Sequence, residues 1–88
     1  MDTAQLTAIV QHEGLDTPVI DGVGRLHDDA VVMERDGAGW TVYLVDERHA
    51  VTESTLRAYS NESDALERVL LELRRVAQAR RSRAALSD

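Results

Sequence analysis

Two runs of β-forming residues, separated by four turn residues, constrain the fold of this chain most strongly. Residues 30–35 and residues 40–45 are rich in β-branched, aromatic and other apolar side chains. Between them, residues 36–39 read DGAG, a sequence typical of a tight reversal of the backbone. The pattern therefore predicts a β-hairpin in which Arg35 lies opposite Trp40.

This hairpin register separates two faces, because side chains alternate across a strand. On one face stand five residues suited to a hydrophobic core: Val31, Met33, Trp40, Val42 and Leu44. The opposite face, named the outer face below, pairs Val32 with Tyr43 and Glu34 with Thr41. We expect the apolar face to be covered by helices and to form the core.

A third strand is predicted over about residues 55–59, after a charged loop. In this strand Leu56 and Ala58 are expected to point into the core. Arg57 and Tyr59 are then expected on the outer face, since neighbouring residues of a strand alternate.

The N-terminal part of the chain predicts a helix followed by a connector. Apolar residues recur at helical spacing over about residues 3–13, and Asp2 or Thr3 can cap the helix. Residues 14–29 are rich in turn-forming residues, and within them residues 18–20 allow a short additional strand.

The C-terminal part predicts a long helix that Ser60 or Asn61 caps and that frays after about Arg81. Its apolar stripe consists of Leu66, Val69, Leu70, Leu73, Val76 and Ala77. Together the elements predict one α+β domain over residues 1–88. It has an N-terminal helix, a three-stranded antiparallel meander and a long C-terminal helix, with both helices on one face of the sheet.

Charge is distributed unevenly along the chain. There are sixteen acidic residues and ten arginines, and the net charge is −6. Half of the arginines lie in residues 74–88, so the preceding part is strongly acidic. An acidic surface disfavours nucleic acid and suits a basic protein partner. No apolar run approaches the ~20 residues of a membrane span, and the first twenty residues are too polar for a signal peptide. We therefore expect a cytoplasmic protein.

No residue pattern predicts catalytic or metal chemistry. The chain has no cysteine, which excludes a thiolate metal site and a disulfide framework. No two of His12, His27 and His49 share a helix face, so we expect them to be surface residues. No serine has a motif that supplies a base. The sequence thus predicts a protein that is not an enzyme and that holds no cofactor and no metal.

The outer face is the candidate binding surface. Tyrosine and arginine are frequent anchors of protein interfaces, and charged residues at the strand end would form a rim. The predicted partner-binding residues are Tyr43, Asp46, Glu47, Arg48, Arg57 and Tyr59. The alternative is that a helix or the connector covers this face and makes it a second core layer.

From residue 40 onward the chain resembles the small immunity proteins of bacterial polymorphic toxin systems. The resemblance is carried by WTVYLVDER at residues 40–48 and by YSNESDAL at residues 59–66, where a strand leads into a capped helix. His49 stands where that pattern often has glycine. The resemblance implies a protein that binds a cognate toxin domain and blocks its active site, without catalysis or cofactor. The alternative is a homo-oligomeric structural or regulatory module, such as a homodimer paired through the sheet or the long helix.

Overall fold

The computed structural model describes residues 1–46, 48 and 50–86, with the backbone alone at residue 86. In chain order the elements are α1 (Thr3–Glu13), β1 (Val19–Ile20), β2 (Val31–Asp36), β3 (Gly39–Val45), β4 (Val51–Tyr59) and α2 (Glu62–Leu86). The strands form one sheet in the order β1-β2-β3-β4, in which β1 is parallel to β2 and the other neighbours are antiparallel. The α+β class and the two terminal helices are confirmed. The three predicted antiparallel strands are present as β2, β3 and β4. The short strand that residues 18–20 allow is β1, so the sheet has four strands and is mixed rather than purely antiparallel.

The additional strand, β1, is too short to give a periodic signal in the sequence. Its two residues pair with Val32 and Met33 of β2. Asp21 then extends the pairing, since its backbone N–H donates to the Met33 carbonyl and its Oδ1 accepts from the Arg35 N–H, both at 2.9 Å. The Asp21 carboxylate thus takes the place of a backbone carbonyl as the acceptor for the Arg35 N–H. Because Arg35 lies in β2, the sequence around Asp21 does not indicate this contact.

The hairpin of β2 and β3 has the register that the sequence predicts. Its six pairs run from Val31 opposite Leu44 to Asp36 opposite Gly39. The loop has two residues, and Gly37 at its first position has φ +60°. A type II′ hairpin turn requires a positive φ there, which explains the glycine.

Both helices begin with side-chain caps, as their sequences predict. At α1, Asp2 Oδ1 accepts from the Gln5 N–H at 2.8 Å, and Gln5 Oε1 accepts from the Asp2 N–H at 2.9 Å. At α2, Asn61 Oδ1 accepts from the Asp64 N–H at 2.8 Å. Each cap satisfies an N–H that the first turn leaves without an intrahelical partner.

The two helices run parallel to each other on one face of the sheet, as predicted. The Met1 amine donates to Ser63 Oγ at 2.9 Å, and at the other end Arg74 contacts Glu13. The face of the sheet that they cover is named the core face below. The buried cluster on it consists of Leu6, Val10, Val31, Met33, Val42, Ala65, Leu66, Val69, Leu70 and Leu73.

Candidate partner-binding surface

The outer face is divided into a covered half and an open half. Toward β1, four apolar residues form a small second cluster: Val19, Ala30, Val32 and Val45. The connector lies against this cluster, since a Cβ placed on Gly24 would be 2.9 Å from the Pro18 carbonyl oxygen and 3.5 Å from Val19 Cγ2. Toward β4, no helix of the described chain packs on this face. The alternative of a covered layer therefore holds for the half toward β1, and the half toward β4 is left open.

Tyr43 stands at the boundary between the two halves. Its half-buried ring packs against the second cluster, and its hydroxyl donates to Glu34 Oε1 at 2.7 Å. Burial, together with this hydrogen bond to a carboxylate, raises the pKa of Tyr43 to about 12. The ring is therefore held in one position by packing below it and a charge-assisted hydrogen bond at its tip.

A bulge of several residues in β4 determines which of its residues reach the outer face. Val42 pairs with Arg57, whereas Leu44 pairs with Thr52, so two steps along β3 correspond to five along β4. Thr55 fills the gap in the ladder. Its Oγ1 accepts from the Leu44 N–H at 2.9 Å and donates to the Thr52 carbonyl at 2.6 Å. The bulge is thus closed by a side-chain hydroxyl, and pairing resumes beyond it.

The pairing of β4 reverses the predicted orientation of its side chains. Tyr59 lies opposite Trp40, and Arg57 lies opposite Val42, which is part of the buried core. Because directly paired residues share a face, Arg57 and Tyr59 lie on the core face, and the prediction that they lie on the outer face is wrong. Tyr59 packs at the margin of the core. By alternation Leu56 and Ala58 lie on the outer face, where both are exposed.

Both arginines of the sheet are turned away from the outer face. Arg57 Nη1 donates to the carbonyls of Ser54 and Leu56, at 3.1 and 2.8 Å. The Arg35 guanidinium lies 5.1 Å from the ring centroid of Trp40, in a cation–π contact. No outer-face position of any strand therefore carries a basic side chain.

The loop after β3 contains three of the predicted binding residues. Asp46 Oδ1 accepts from the backbone N–H groups of Arg48 and Ala50, at 2.8 and 3.0 Å. Asp46 thus stabilises its own loop, and the side chain of Arg48 is exposed. Glu47 lies outside the described residues, as does His49.

The surface that results is named the open outer face. It has an apolar centre formed by half-buried and exposed side chains, with carboxylates at the hairpin end. Its members are Glu34, Asp36, Thr41, Tyr43, Val51, Leu56 and Ala58. Of the five predicted binding residues that the structure describes, Tyr43 alone belongs to it. Leu56 is expected in the core from its apolar side chain, and Val51 lies outside the strand predicted over about residues 55–59, so neither is among the predicted binding residues.

The arginines at the end of the chain form ion pairs with acids from other elements. Arg74 donates to both carboxylate oxygens of Glu13, at 3.0 and 2.5 Å. This hydrogen bond and the charge of Arg74 hold the pKa of Glu13 below its usual range. Further along, Arg80 contacts Asp16, and Arg83 Nη2 lies 4.0 Å from Asp29 Oδ2.

These contacts explain the length of α2. The sequence predicts fraying after about Arg81, whereas α2 is helical to Leu86. Arg80 also donates to the Asp28 carbonyl at 3.2 Å. The C-terminal turns are therefore connected to the loops of the domain rather than standing free in solvent.

One buried carboxylate lies on the core side of the molecule. Glu72 is only 6% exposed and contacts Arg68 Nη2 at 2.9 Å and Arg75 Nη1 at 3.1 Å. The Nε of Arg68 is buried without a hydrogen-bond partner. In the sequence, the arginines four residues before and three residues after Glu72 indicate that this carboxylate is paired. It takes no part in the open outer face, which lies on the other side of the sheet.

Within the described part of the chain, no three histidine or carboxylate side chains are grouped so that they could hold a metal ion. None of the described helices is long and apolar enough to cross a membrane. Comparison of the chain with protein-family models, with curated proteins and with solved structures gave no match. The resemblance to immunity proteins therefore stays a prediction from the sequence.

Proposed function

We propose that this chain is an immunity protein, which binds a cognate toxin domain and blocks its activity without catalysis. The proposal rests first on the resemblance of residues 40–66 to such proteins. The acidic composition of the chain, with net charge −6, supports a partner that is basic. The cytoplasm is the proposed location, because an inhibitor must reach the toxin where the toxin acts.

The observation that carries the proposal is the open outer face. A sheet face that no helix covers normally presents polar side chains to water. Here Leu56 is 43% exposed and Val51 45% exposed, beside the rigidly held ring of Tyr43. Exposed apolar side chains next to an ordered aromatic ring are typical of a binding surface.

The proposal is tested by expressing the chain together with the toxin domain that its neighbouring gene encodes. Growth should be restored when both are expressed, and the two proteins should copurify as a complex. The matched control is an unrelated acidic protein of similar size, which should not protect. A toxin domain that kills cells equally with and without the chain would contradict the proposal.

A homo-oligomeric module is the second candidate, and the exposed side chains of β4 favour it. Most side chains of this nine-residue strand are exposed, and among them Val51 and Leu56 are apolar. Apolar side chains left in solvent can be covered by a second copy of the chain. Sedimentation of the purified chain separates the two candidates, since a stable dimer over a wide concentration range would favour the module.

A further inference from the structure

The open outer face has a single sign of charge. Alternation along β2 places Glu34 and Asp36 on it, and both are exposed. The arginines of the strands, Arg35 and Arg57, lie on the core face and are engaged there with Trp40 and with backbone carbonyls. The surface therefore combines an apolar centre with a carboxylate rim at the hairpin end, and no strand residue on it compensates this charge.

The free edge of β4 is protected against strand addition. Arg57 donates to the carbonyls of Ser54 and Leu56, so its charged side chain lies against the backbone of β4 itself. The bulge closed by Thr55 also interrupts the straight run of the strand. Charged side chains and bulges are the usual means by which edge strands avoid pairing. Binding is thus directed to the face of the sheet rather than to its edge.

We propose that the open outer face is the docking surface for a basic protein surface, with an apolar side chain of the partner against Leu56 and Tyr43. Lysine or arginine side chains of the partner then lie opposite Glu34 and Asp36. This inference rests on the proposed function, and its occupant is the cognate toxin domain. A second copy of the chain is disfavoured on this face, because the face has no basic side chain on its strands to place opposite Glu34 and Asp36.

The hydrogen bond between Tyr43 and Glu34 holds both side chains in position before a partner binds. The ring is packed against the second cluster before a partner arrives, so little side-chain entropy is lost on binding. Glu34 keeps a second carboxylate oxygen for a cationic donor. The aromatic centre and the acidic rim are therefore held as one unit.

Two exposed leucines provide a matched test of this surface. Leu56 is 43% exposed on the open outer face, and Leu71 is 41% exposed on α2. The experiment measures calorimetric binding of the purified cognate toxin domain to wild type, Leu56→Arg and Leu71→Arg. Leu56→Arg should raise the Kd by about 30-fold or more, as expected when a central interface residue is lost. Leu71→Arg should bind like wild type.

A charge pair gives a second, independent test. Asp36→Arg removes a carboxylate from the rim, whereas Glu67→Arg makes the same change at an exposed position of α2. Asp36→Arg should slow association markedly at low salt, and Glu67→Arg much less, because nearby complementary charge steers encounter. Circular dichroism checks that each variant is folded.

The outcomes separate this inference from the proposed function. If wild type binds and folded Leu56→Arg and Asp36→Arg bind as tightly and as fast as their controls, the docking surface is wrong and the proposed function stands. Equal weakening by Leu56→Arg and Leu71→Arg also contradicts the surface. If wild type itself does not bind the toxin domain, the proposed function is contradicted.

Discussion

The register of β4 is tested most clearly by truncating two leucines that the sequence alone does not distinguish. Leu66 is 0% exposed within the core, whereas Leu56 is 43% exposed on the outer face. Leu66→Ala removes buried methyl groups and leaves a cavity, so we expect a loss of about 2–5 kcal/mol in the free energy of unfolding. Leu56→Ala opens no cavity and loses only part of the burial of a leucine, so about 1 kcal/mol is expected.

The loss expected for Leu66→Ala is large compared with the free energy of unfolding of the whole domain. At roughly 0.05–0.15 kcal/mol per residue, a chain of 88 residues has a free energy of unfolding of about 4–13 kcal/mol. Leu66→Ala therefore removes a large fraction of the stability, and its urea midpoint should fall far below that of wild type. Urea unfolding of wild type and both variants is followed by circular dichroism. The difference in the free energy of unfolding is calculated with one common slope of that free energy against urea concentration.

The result that would refute this reasoning is a loss of similar size in the two variants. In that case Leu56 would be buried, Arg57 and Tyr59 would face outward, and the bulge at Thr55 would be misplaced. A small loss for Leu66→Ala would equally contradict the position of α2 on the core face.

Two titrations test electrostatic contacts of the chain, one on the open outer face and one between the two helices. In a Tyr59→Phe background Tyr43 is the only tyrosine, and its phenolate should form near pH 12 rather than 10. Because the folded pKa is raised, Tyr43 should stabilise the fold below pH 10 and lose this effect as pH rises toward 12. Glu13 has a lowered pKa, so its ion pair with Arg74 should stabilise above the usual glutamate range and weaken as pH falls below 4.5. Phenolate absorbance and acid unfolding midpoints measure the two effects.

Matched variants check both titrations. Glu34→Gln should bring the pKa of Tyr43 closer to its ordinary value, and an unchanged titration would show that the hydrogen bond has no part in the shift. Glu13→Gln should make stability less dependent on pH in the acid range. If the acid unfolding of this variant matches wild type, the contact with Arg74 does not contribute.

The hairpin was predictable because its information is local. Gly37 supplies the backbone conformation of the turn, and the β-forming runs on its two sides pair in one continuous register. The two helices were predictable for the same reason, since their caps and apolar stripes lie within each element. The core face and its two covering helices follow from these local signals.

The bulge and the parallel pairing of β1 with β2 were not predictable, because they depend on contacts between distant residues; the sequence indicates only that residues 18–20 allow a short strand. Thr55 closes the bulge by binding the Leu44 N–H, and nothing in residues 51–59 alone indicates that partner. β1 is extended by Asp21, which binds the Arg35 N–H across the sheet. Within residues 55–59, alternation favours the apolar Leu56 and Ala58 in the core. The pairing beyond the bulge instead places Arg57 and Tyr59 on the core face.

The composition of the open outer face depends on this correction. With Arg57 on the outer face, the sequence predicts a surface of mixed charge. The observed register places Arg57 on the core face and leaves Glu34 and Asp36 without a basic neighbour on the strands. The polar C-terminal arginines likewise could not be assigned partners from sequence, since Glu13 and Asp16 lie far from them along the chain.

The stoichiometry at which the chain inhibits the toxin domain tests the proposed function most directly. The activity of a known amount of the cognate toxin domain is measured as the purified chain is added in increasing molar ratio. A non-catalytic inhibitor that binds tightly predicts a linear fall in activity that ends at one chain per toxin domain. Full toxin activity in the presence of excess chain would contradict the proposal. Inactivation by a small fraction of an equivalent would also contradict it, because the chain would then act as a catalyst.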